Sequence, residues 1–255
     1  MEAMIDVGRD RLWVEDLGGA GPAVVLVHPG IHDSTVWNQV LPLLDGFRVI
    51  RFDFRDFGRS SAATEPFRPM DDLRSVLDHL GLERAHLVGN SMGGEACLAL
   101  ALEHPQRVAS LTLLAPGIGG YEFPDEPELE AEFEQLMVAD DHDGLVAFAG
   151  RLWCAAGVDD AIRAQLEAAD AVEANQTELR QDNPEQWSRA GTVTQPVTVV
   201  VGELDYPSGT AAAVALAGRI PGAELVRIAE SDHLPGLRAP ERVVEAIRGT
   251  VVRAA

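Results

Sequence analysis

The stretch AHLVGNSMGGEACLALALEH, residues 85–104, decides how this chain folds. An apolar segment ends at Gly89, Ser91 follows between glycines, and alanines and leucines then recur at helical spacing. A strand, a tight turn carrying a serine and a helix are the context that makes a G-x-S-x-G match informative. Glycines suit such a turn because two chain segments pass close to its backbone. The helix directs unpaired N–H groups toward Ser91, so the stretch predicts a nucleophile with an anion site at the backbone N–H of Met92.

Apolar segments of strand length alternate with helical patterns on both sides of this stretch. The predicted strands are a hairpin of residues 3–7 and 11–17, then 23–28, 47–52, the segment before Gly89, 108–114, 197–201 and 224–228. The predicted helices outside the central stretch are 37–44, 70–80, 211–217 and 240–252. This alternation predicts an α/β fold, with a mostly parallel sheet of eight strands flanked by crossover helices.

The alternation stops between residues 119 and 190, where only helical patterns remain, at 127–138, 143–155 and 158–174. We expect residues 1–118 and 191–255 to form the core, and residues 119–190 to form a helical lid inserted after the sixth strand. Such an insertion lies over the carboxyl ends of the strands, where open α/β sheets bind ligands. Its apolar side chains are candidates to line a substrate pocket: Phe123, Met137, Phe148, Trp153 and Trp187.

Two later strands run into loops that carry a candidate acid and a candidate base. Asp205 follows the strand at 197–201, and His233 follows the strand at 224–228. A serine hydroxyl needs a base within hydrogen-bond reach, which His233 would supply, and Asp205 would hold the imidazole in the correct tautomer. Glu203 is an alternative acid, whereas Asp232 directly precedes His233 and is poorly placed to reach the inner nitrogen of its ring.

Five motifs in this order resemble the α/β-hydrolase superfamily, and the resemblance covers nearly the whole chain. They are His28-Pro29-Gly30, the D-x-R-x-x-G-R-S loop at 53–60, GNSMGG at 89–94, G-x-x-D-x-P at 202–207 and S-D-H at 231–233. The resemblance implies a serine hydrolase without a cofactor, whose triad is Ser91, Asp205 and His233. It also implies that a second oxyanion donor, besides Met92, follows His28. Pro29 has no N–H, so Gly30 is the predicted donor, with Ile31 behind it.

The loops around the predicted triad add further candidates and two departures from the family pattern. Ile31, His32 and Leu234 are candidate substrate contacts next to the oxyanion loop and the histidine. Asp56 and Pro29 stand where glycine is usual in the family, and neither departure has an explanation in the sequence.

The resemblance implies an acyl-enzyme mechanism on a small or medium ester or lactone. A carbon–carbon bond hydrolase of the meta-cleavage type is an alternative, because GNSMGG and the segment 115–120 resemble that subfamily. Its substrate carries a carboxylate, so the lid would need an inward cation; Arg151 is the best candidate because it shares a helix with Phe148 and Trp153. A non-hydrolytic ligand receptor or a cyclase that uses the same cavity is a third alternative.

Composition limits the partners and the location. The formal net charge is −21, so nucleic acid and anionic membranes would repel the chain. Two cysteines make no disulfide framework, and no residues have metal-ligand spacing. The beginning of the sequence lacks the apolar segment of a signal peptide. The sequence therefore predicts a cytoplasmic protein, a monomer or a homodimer, whose partner is a small-molecule substrate.

Overall fold

The computed structural model of the protein describes residues 1–176 and 179–254. Eight strands form one sheet in the order β1-β2-β4-β3-β5-β6-β7-β8. They are β1 Glu2–Val7, β2 Asp10–Gly18, β3 Ala23–Val27, β4 Arg48–Phe52, β5 Ala85–Asn90, β6 Val108–Leu114, β7 Val197–Gly202 and β8 Glu224–Ile228. β2 pairs antiparallel with β1 and β4, and all other neighbours are parallel. The predicted eight-stranded, mostly parallel sheet is confirmed.

Two groups of helices surround this sheet. The crossover and terminal helices are α1 Pro69–His79, α2 Met92–Glu103, α6 Pro207–Arg219, α7 Pro235–Arg238 and α8 Pro240–Val252. Between β6 and β7 lie α3 Pro127–Ala139, α4 His142–Trp153 and α5 Asp160–Gln176, in the interval predicted as a lid. Among the described residues, no helix is long and apolar enough to cross a membrane.

The prediction of a helix at residues 37–44 was wrong. The segment instead forms two short 3₁₀ turns, Ser34–Trp37 and Leu41–Leu43. Pro42 has no N–H to donate to an α-helical hydrogen bond, and the backbone N–H of Val40 bonds three residues back, to the Trp37 carbonyl.

Strand β3 shows how the sheet is covered on both faces. Val25 and Val27 pack in the apolar cluster that contains side chains of α1, α2 and α6. Val24 and Leu26 point to the other face, into the cluster that contains side chains of α8. Since both faces are buried, the strand is apolar along its whole length, as the sequence predicts for a central strand.

The turn between β5 and α2 brings two chain segments into close backbone contact. Ser91 lies in this turn with φ 50° and ψ −117°. A Cβ atom on Gly93 would lie 2.3 Å from the Val27 carbonyl oxygen and 2.6 Å from that of His28. Because α2 passes this close to the end of β3, only glycine fits at position 93.

Asp56 occupies a backbone conformation that explains why a glycine is usual there. Its φ is 76°, in the left-handed region that glycine adopts without strain and aspartate tolerates better than most residues. The side chain compensates locally, since Asp56 Oδ1 accepts a hydrogen bond of 2.6 Å from the Ala63 N–H.

Replacing Gly93 by alanine should destabilise the protein by about 3 kcal/mol, the upper range for forcing an atom into a packed contact. Chemical unfolding should show a lower midpoint denaturant concentration, while the slope of the unfolding free energy against denaturant concentration stays unchanged. Gly218→Ala is the matched control, because a Cβ there meets nothing within 4 Å and lies in helix α6. Equal stability of the two variants would contradict the close approach of α2 to β3.

Candidate active site

The predicted acid and base meet beyond the ends of β7 and β8. His233 Nδ1 lies 3.0 Å from Asp205 Oδ1 and 2.9 Å from Asp205 Oδ2, and both residues are buried. A carboxylate only accepts, so Nδ1 carries the proton and Nε2 is the acceptor. Among the described residues, exposed Glu203 makes no hydrogen bond to this ring. The geometry therefore favours Asp205 over Glu203 as the acid.

Ser91 and His233 line the same cavity, whose volume is about 500 Å³. Among the described contacts, the Ser91 hydroxyl makes no hydrogen bond to His233 Nε2; catalytic bonds of this kind often tighten only when substrate binds. Six further residues predicted for the site line this cavity: Gly30, Ile31, Met92, Met137, Phe148 and Trp153.

The predicted oxyanion donors are neighbours. A Cβ atom on Gly30 would lie 3.5 Å from Met92 Sδ, so the loop after β3 packs against the first residue of α2. Neither the Gly30 N–H nor the Met92 N–H has a backbone or side-chain acceptor among the described residues. Two unpaired donors beside a serine can stabilise a negative oxygen that forms there.

His28 orders this loop. Its Nε2 accepts a 2.9 Å hydrogen bond from the Phe54 N–H, and its Nδ1 donates to the Pro29 carbonyl at 2.8 Å. Burial lowers the pKa of His28, which keeps the ring neutral and able to accept at Nε2. His28 therefore holds the loop after β3 in place through hydrogen bonds at both of its ring nitrogens.

Four predicted substrate contacts do not reach the cavity that the described residues form: His32, Phe123, Trp187 and Leu234. Phe123 and Trp187 both pack edge-to-face on Tyr121 instead. Leu234 is buried in the core, and the His32 ring nitrogen Nδ1 lies 3.1 Å from the Asp33 carbonyl oxygen. The structure brings these side chains close to the site but gives them other partners.

The charged groups of the cavity were missed by the sequence analysis. Arg151, the best sequence candidate for an inward cation, is exposed and pairs with Glu132. Arg180 lines the cavity instead, with Nη1 3.9 Å from Met92 Sδ. Glu95 also lines it, and its place in the first turn of the helix that follows Ser91 was a signal that could have found it.

Hydrogen bonds join the predicted lid to the loop that carries His233. The His233 N–H donates to the Trp153 carbonyl at 3.2 Å. Asp232 Oδ2 accepts from the Ala156 N–H at 3.1 Å and from the Arg238 guanidinium at 2.8 Å. On the core side, Asn90 Nδ2 donates to the His233 carbonyl at 3.0 Å. The position of the imidazole thus depends on both the turn that carries Ser91 and the end of α4.

A second imidazole ties the lid helices to one another. His142 Nδ1, at the start of α4, donates to Asp170 Oδ2 on α5 at 2.6 Å, and its Nε2 lies 3.5 Å from Asp140 Oδ1 at the end of α3. The hydrogen bond to Asp170, with the charges of Asp170, Asp140 and Asp141, raises the pKa of His142. No group of three or more metal-ligating side chains that could hold a metal ion occurs in the described part of the chain.

Comparison with known proteins agrees with the fold. The sequence profile of the family described as "alpha/beta hydrolase fold" matches residues 22–164, more than half of the chain. A 2-hydroxy-6-oxononadienedioate/2-hydroxy-6-oxononatrienedioate hydrolase of Paraburkholderia phymatum is 38% identical over 119 residues, 43% of this chain and 41% of that protein. A putative carbamate hydrolase of Caulobacter sp. (strain K31) is 36% identical over 147 residues, 54% of this chain and 53% of that protein. The chain thus matches about half the length of these curated relatives.

Solved structures match over nearly the full chain. Est816, described as an N-acyl homoserine lactone degrading enzyme, superposes with a TM-score of 0.78 at 26% identity, covering 97% of this chain and 99% of that one. A thermophilic esterase from Thermogutta terrifontis superposes with a TM-score of 0.73 at 27% identity, covering 100% of this chain and 99% of that one.

The His142–Asp170 pair should make stability depend on pH. A histidine pKa raised on folding stabilises the folded state fully below the ordinary value of 6.5, and this contribution is lost as the pH rises through the raised pKa. The thermal midpoint of the wild type should therefore exceed that of His142→Gln most at acidic pH, and the gap should shrink toward pH 9. Asp170→Asn should lose the same pH dependence. A gap that widens with rising pH would contradict the pairing.

Proposed function

The chain belongs to the α/β-hydrolase family, and on that premise we propose that it is a serine hydrolase that acts on a neutral ester or lactone of small or medium size. The observation that carries the proposal is the His233–Asp205 pair, whose imidazole lines one cavity with Ser91 on its tight turn. The family supplies the fold, and this pair supplies the reason to expect a nucleophilic serine rather than ligand binding alone.

The proposed reaction uses each group for one task. His233 Nε2 takes the proton of the Ser91 hydroxyl while the serine oxygen attacks the carbonyl carbon. The N–H groups of Gly30 and Met92 stabilise the resulting oxyanion. The imidazolium then protonates the leaving alcohol, and an acyl-enzyme remains. A water activated by His233 hydrolyses that acyl-enzyme, while Asp205 stabilises the cationic imidazole in both steps.

The charges around the cavity support a neutral substrate. Four carboxylates, Glu95, Asp140, Asp170 and Asp182, line it together with Arg180 and the histidines. The lid also contributes the apolar side chains of Leu145, Val146, Phe148, Trp153 and Leu166 to the lining. A substrate carboxylate would lose its hydration next to these apolar and acidic groups, which is costly without a dedicated partner. The likeness to a lactone-degrading enzyme and to an esterase points the same way.

A carbon–carbon bond hydrolase is the second candidate, and one observation favours it. Arg180 lines the cavity and could pair with the carboxylate of a dienol acid. The curated relatives named as hydrolases of 2-hydroxy-6-oxo dienoic acids support this alternative too, although they match this chain over less than half its length.

A fluorophosphonate probe should add one covalent mass to the wild type and none to Ser91→Ala, because only an activated serine beside His233 reacts readily. Ser188→Ala is the matched control, since Ser188 is exposed and bonds to Glu185. Intact mass spectrometry is the measurement. An unlabelled wild type that still binds ester analogues would instead indicate a receptor without turnover.

Neutral esters should be hydrolysed with a kcat/KM at least tenfold above that of a vinylogous 1,5-diketone acid of similar size. A difference of about tenfold is expected because the carboxylate of the acid would be buried without a good partner. The measurement is a direct comparison of the two substrates on the wild type, on Arg180→Ala and on the matched surface variant Arg151→Ala. A preference for the diketone acid that Arg180→Ala abolishes and Arg151→Ala retains would establish the second candidate instead.

A further inference from the structure

Glu95 is a carboxylate held in the wall of the cavity beside the nucleophile turn. It lies in the first turn of α2, where its N–H donates to the Ser91 carbonyl at 2.9 Å. A Cβ atom on Gly117 would lie 3.4 Å from Glu95 Oε2 and 3.6 Å from the Ser91 carbonyl oxygen, so the carboxylate belongs to the immediate surroundings of the serine. The proposed hydrolysis of an ester or lactone needs no second carboxylate at this place.

Two amide side chains fix one oxygen of this carboxylate. Glu95 Oε1 accepts from Asn183 Nδ2 at 3.2 Å and from Gln186 Nε2 at 3.4 Å. Each amide is oriented by a backbone donor on its other side: Asn183 Oδ1 accepts from the Met70 N–H at 2.9 Å, and Gln186 Oε1 accepts from the Gly119 N–H at 2.7 Å. Both amides are buried, so their donors cannot turn away to water.

The second oxygen of Glu95 is left for another donor. No hydrogen-bond donor among the described residues bonds to Oε2, whereas Oε1 has two. A Cβ atom on Gly117, another residue of the cavity wall, would lie 3.4 Å from Oε2, so the absence of a side chain there leaves room beside this oxygen. Burial raises the pKa of Glu95, and the nearby charges of Asp182 and Arg180 act in opposite directions on it.

We propose that Glu95 is a specificity-determining acceptor, and that it selects substrates with a hydroxyl or amide N–H on the carbon next to the scissile carbonyl. The inference rests on the proposed function, because it places that carbonyl at Ser91. Oε2 and the Ser91 backbone lie on either side of the same vacant position at Gly117. A donor on the carbon next to the scissile carbonyl is therefore the first that a substrate bound at Ser91 offers to this oxygen. The substrate class is therefore α-hydroxy or α-acylamino esters and lactones.

The test compares p-nitrophenyl 2-hydroxybutanoate with p-nitrophenyl butanoate, which differ by one hydroxyl group. For each variant, the kcat/KM of the 2-hydroxybutanoate is divided by that of the butanoate. Comparing this ratio between variants cancels the intrinsic reactivity of the two esters. Glu95→Gln should lower this ratio about tenfold, the effect of one hydrogen bond to a charged group. The two amide donors keep the Gln oxygen at the Oε1 position, so an NH₂ group replaces Oε2 and the substrate donor loses its charged acceptor.

Asp182→Asn is the matched control, because it removes one negative charge from the same cavity without touching Oε2, and it should leave the ratio within twofold of the wild type. An equal fall in both variants would show a general charge effect and overturn the proposal. An unchanged ratio in Glu95→Gln, with Ser91 still labelled by the fluorophosphonate, would overturn it while the serine hydrolase stands. An unlabelled wild type would overturn both.

A measurement on the wild type alone keeps the proposal testable if Glu95→Gln does not fold. Butanamide and 2-hydroxybutanamide can compete with the ester as inhibitors. The hydroxylated amide should inhibit with a constant about tenfold lower, because it offers Oε2 the donor that butanamide lacks. Equal inhibition constants for the two amides would overturn the role of Glu95.

Discussion

The close approach of helix α2 to the end of β3 is the constraint on which the site depends. Without a side chain at Gly93, the helix lies against the Val27 and His28 carbonyls. The same contact brings the loop after β3 to the first residue of α2, so Gly30 packs on Met92 beside Ser91. A looser helix would separate the Gly30 and Met92 N–H groups proposed as oxyanion donors, and it would relax the positive φ of Ser91.

Two hydrogen bonds to the backbone of His233, one from each side, position its imidazole. Asn90, which directly precedes the nucleophile, donates to the His233 carbonyl, and the last residue of α4, Trp153, accepts from the His233 N–H. Asp232 adds bonds to the segment after α4 and to Arg238. The end of α4 at Trp153 is therefore part of the frame that positions His233. Helix α3, by contrast, has no buried residue.

The sheet and the grouping of Asp205 with His233 could be predicted because local rules determine them. Buried strands are apolar along their length, and functional loops follow strand ends. The lining of the cavity could not be predicted in the same way. Whether Arg151 or Arg180 faces inward depends on how the lid packs on the core, and Trp187 pairs with Tyr121 only because of contacts distant in sequence. Likewise, the positive φ of Asp56 became understandable only when its bond to Ala63 was seen.

The network around Glu95 connects substrate choice to the way the lid returns to the core. Asn183 and Gln186 belong to the segment that leads from the lid helices back to β7, and both donate to an oxygen on the nucleophile helix. A substrate donor at Oε2 binds the same carboxylate that holds this segment. A carboxylate with an additional donor retains its charge more easily, and a charged acceptor makes stronger hydrogen bonds to both amides. The substrate that Glu95 selects would therefore also strengthen the contact between this segment and α2.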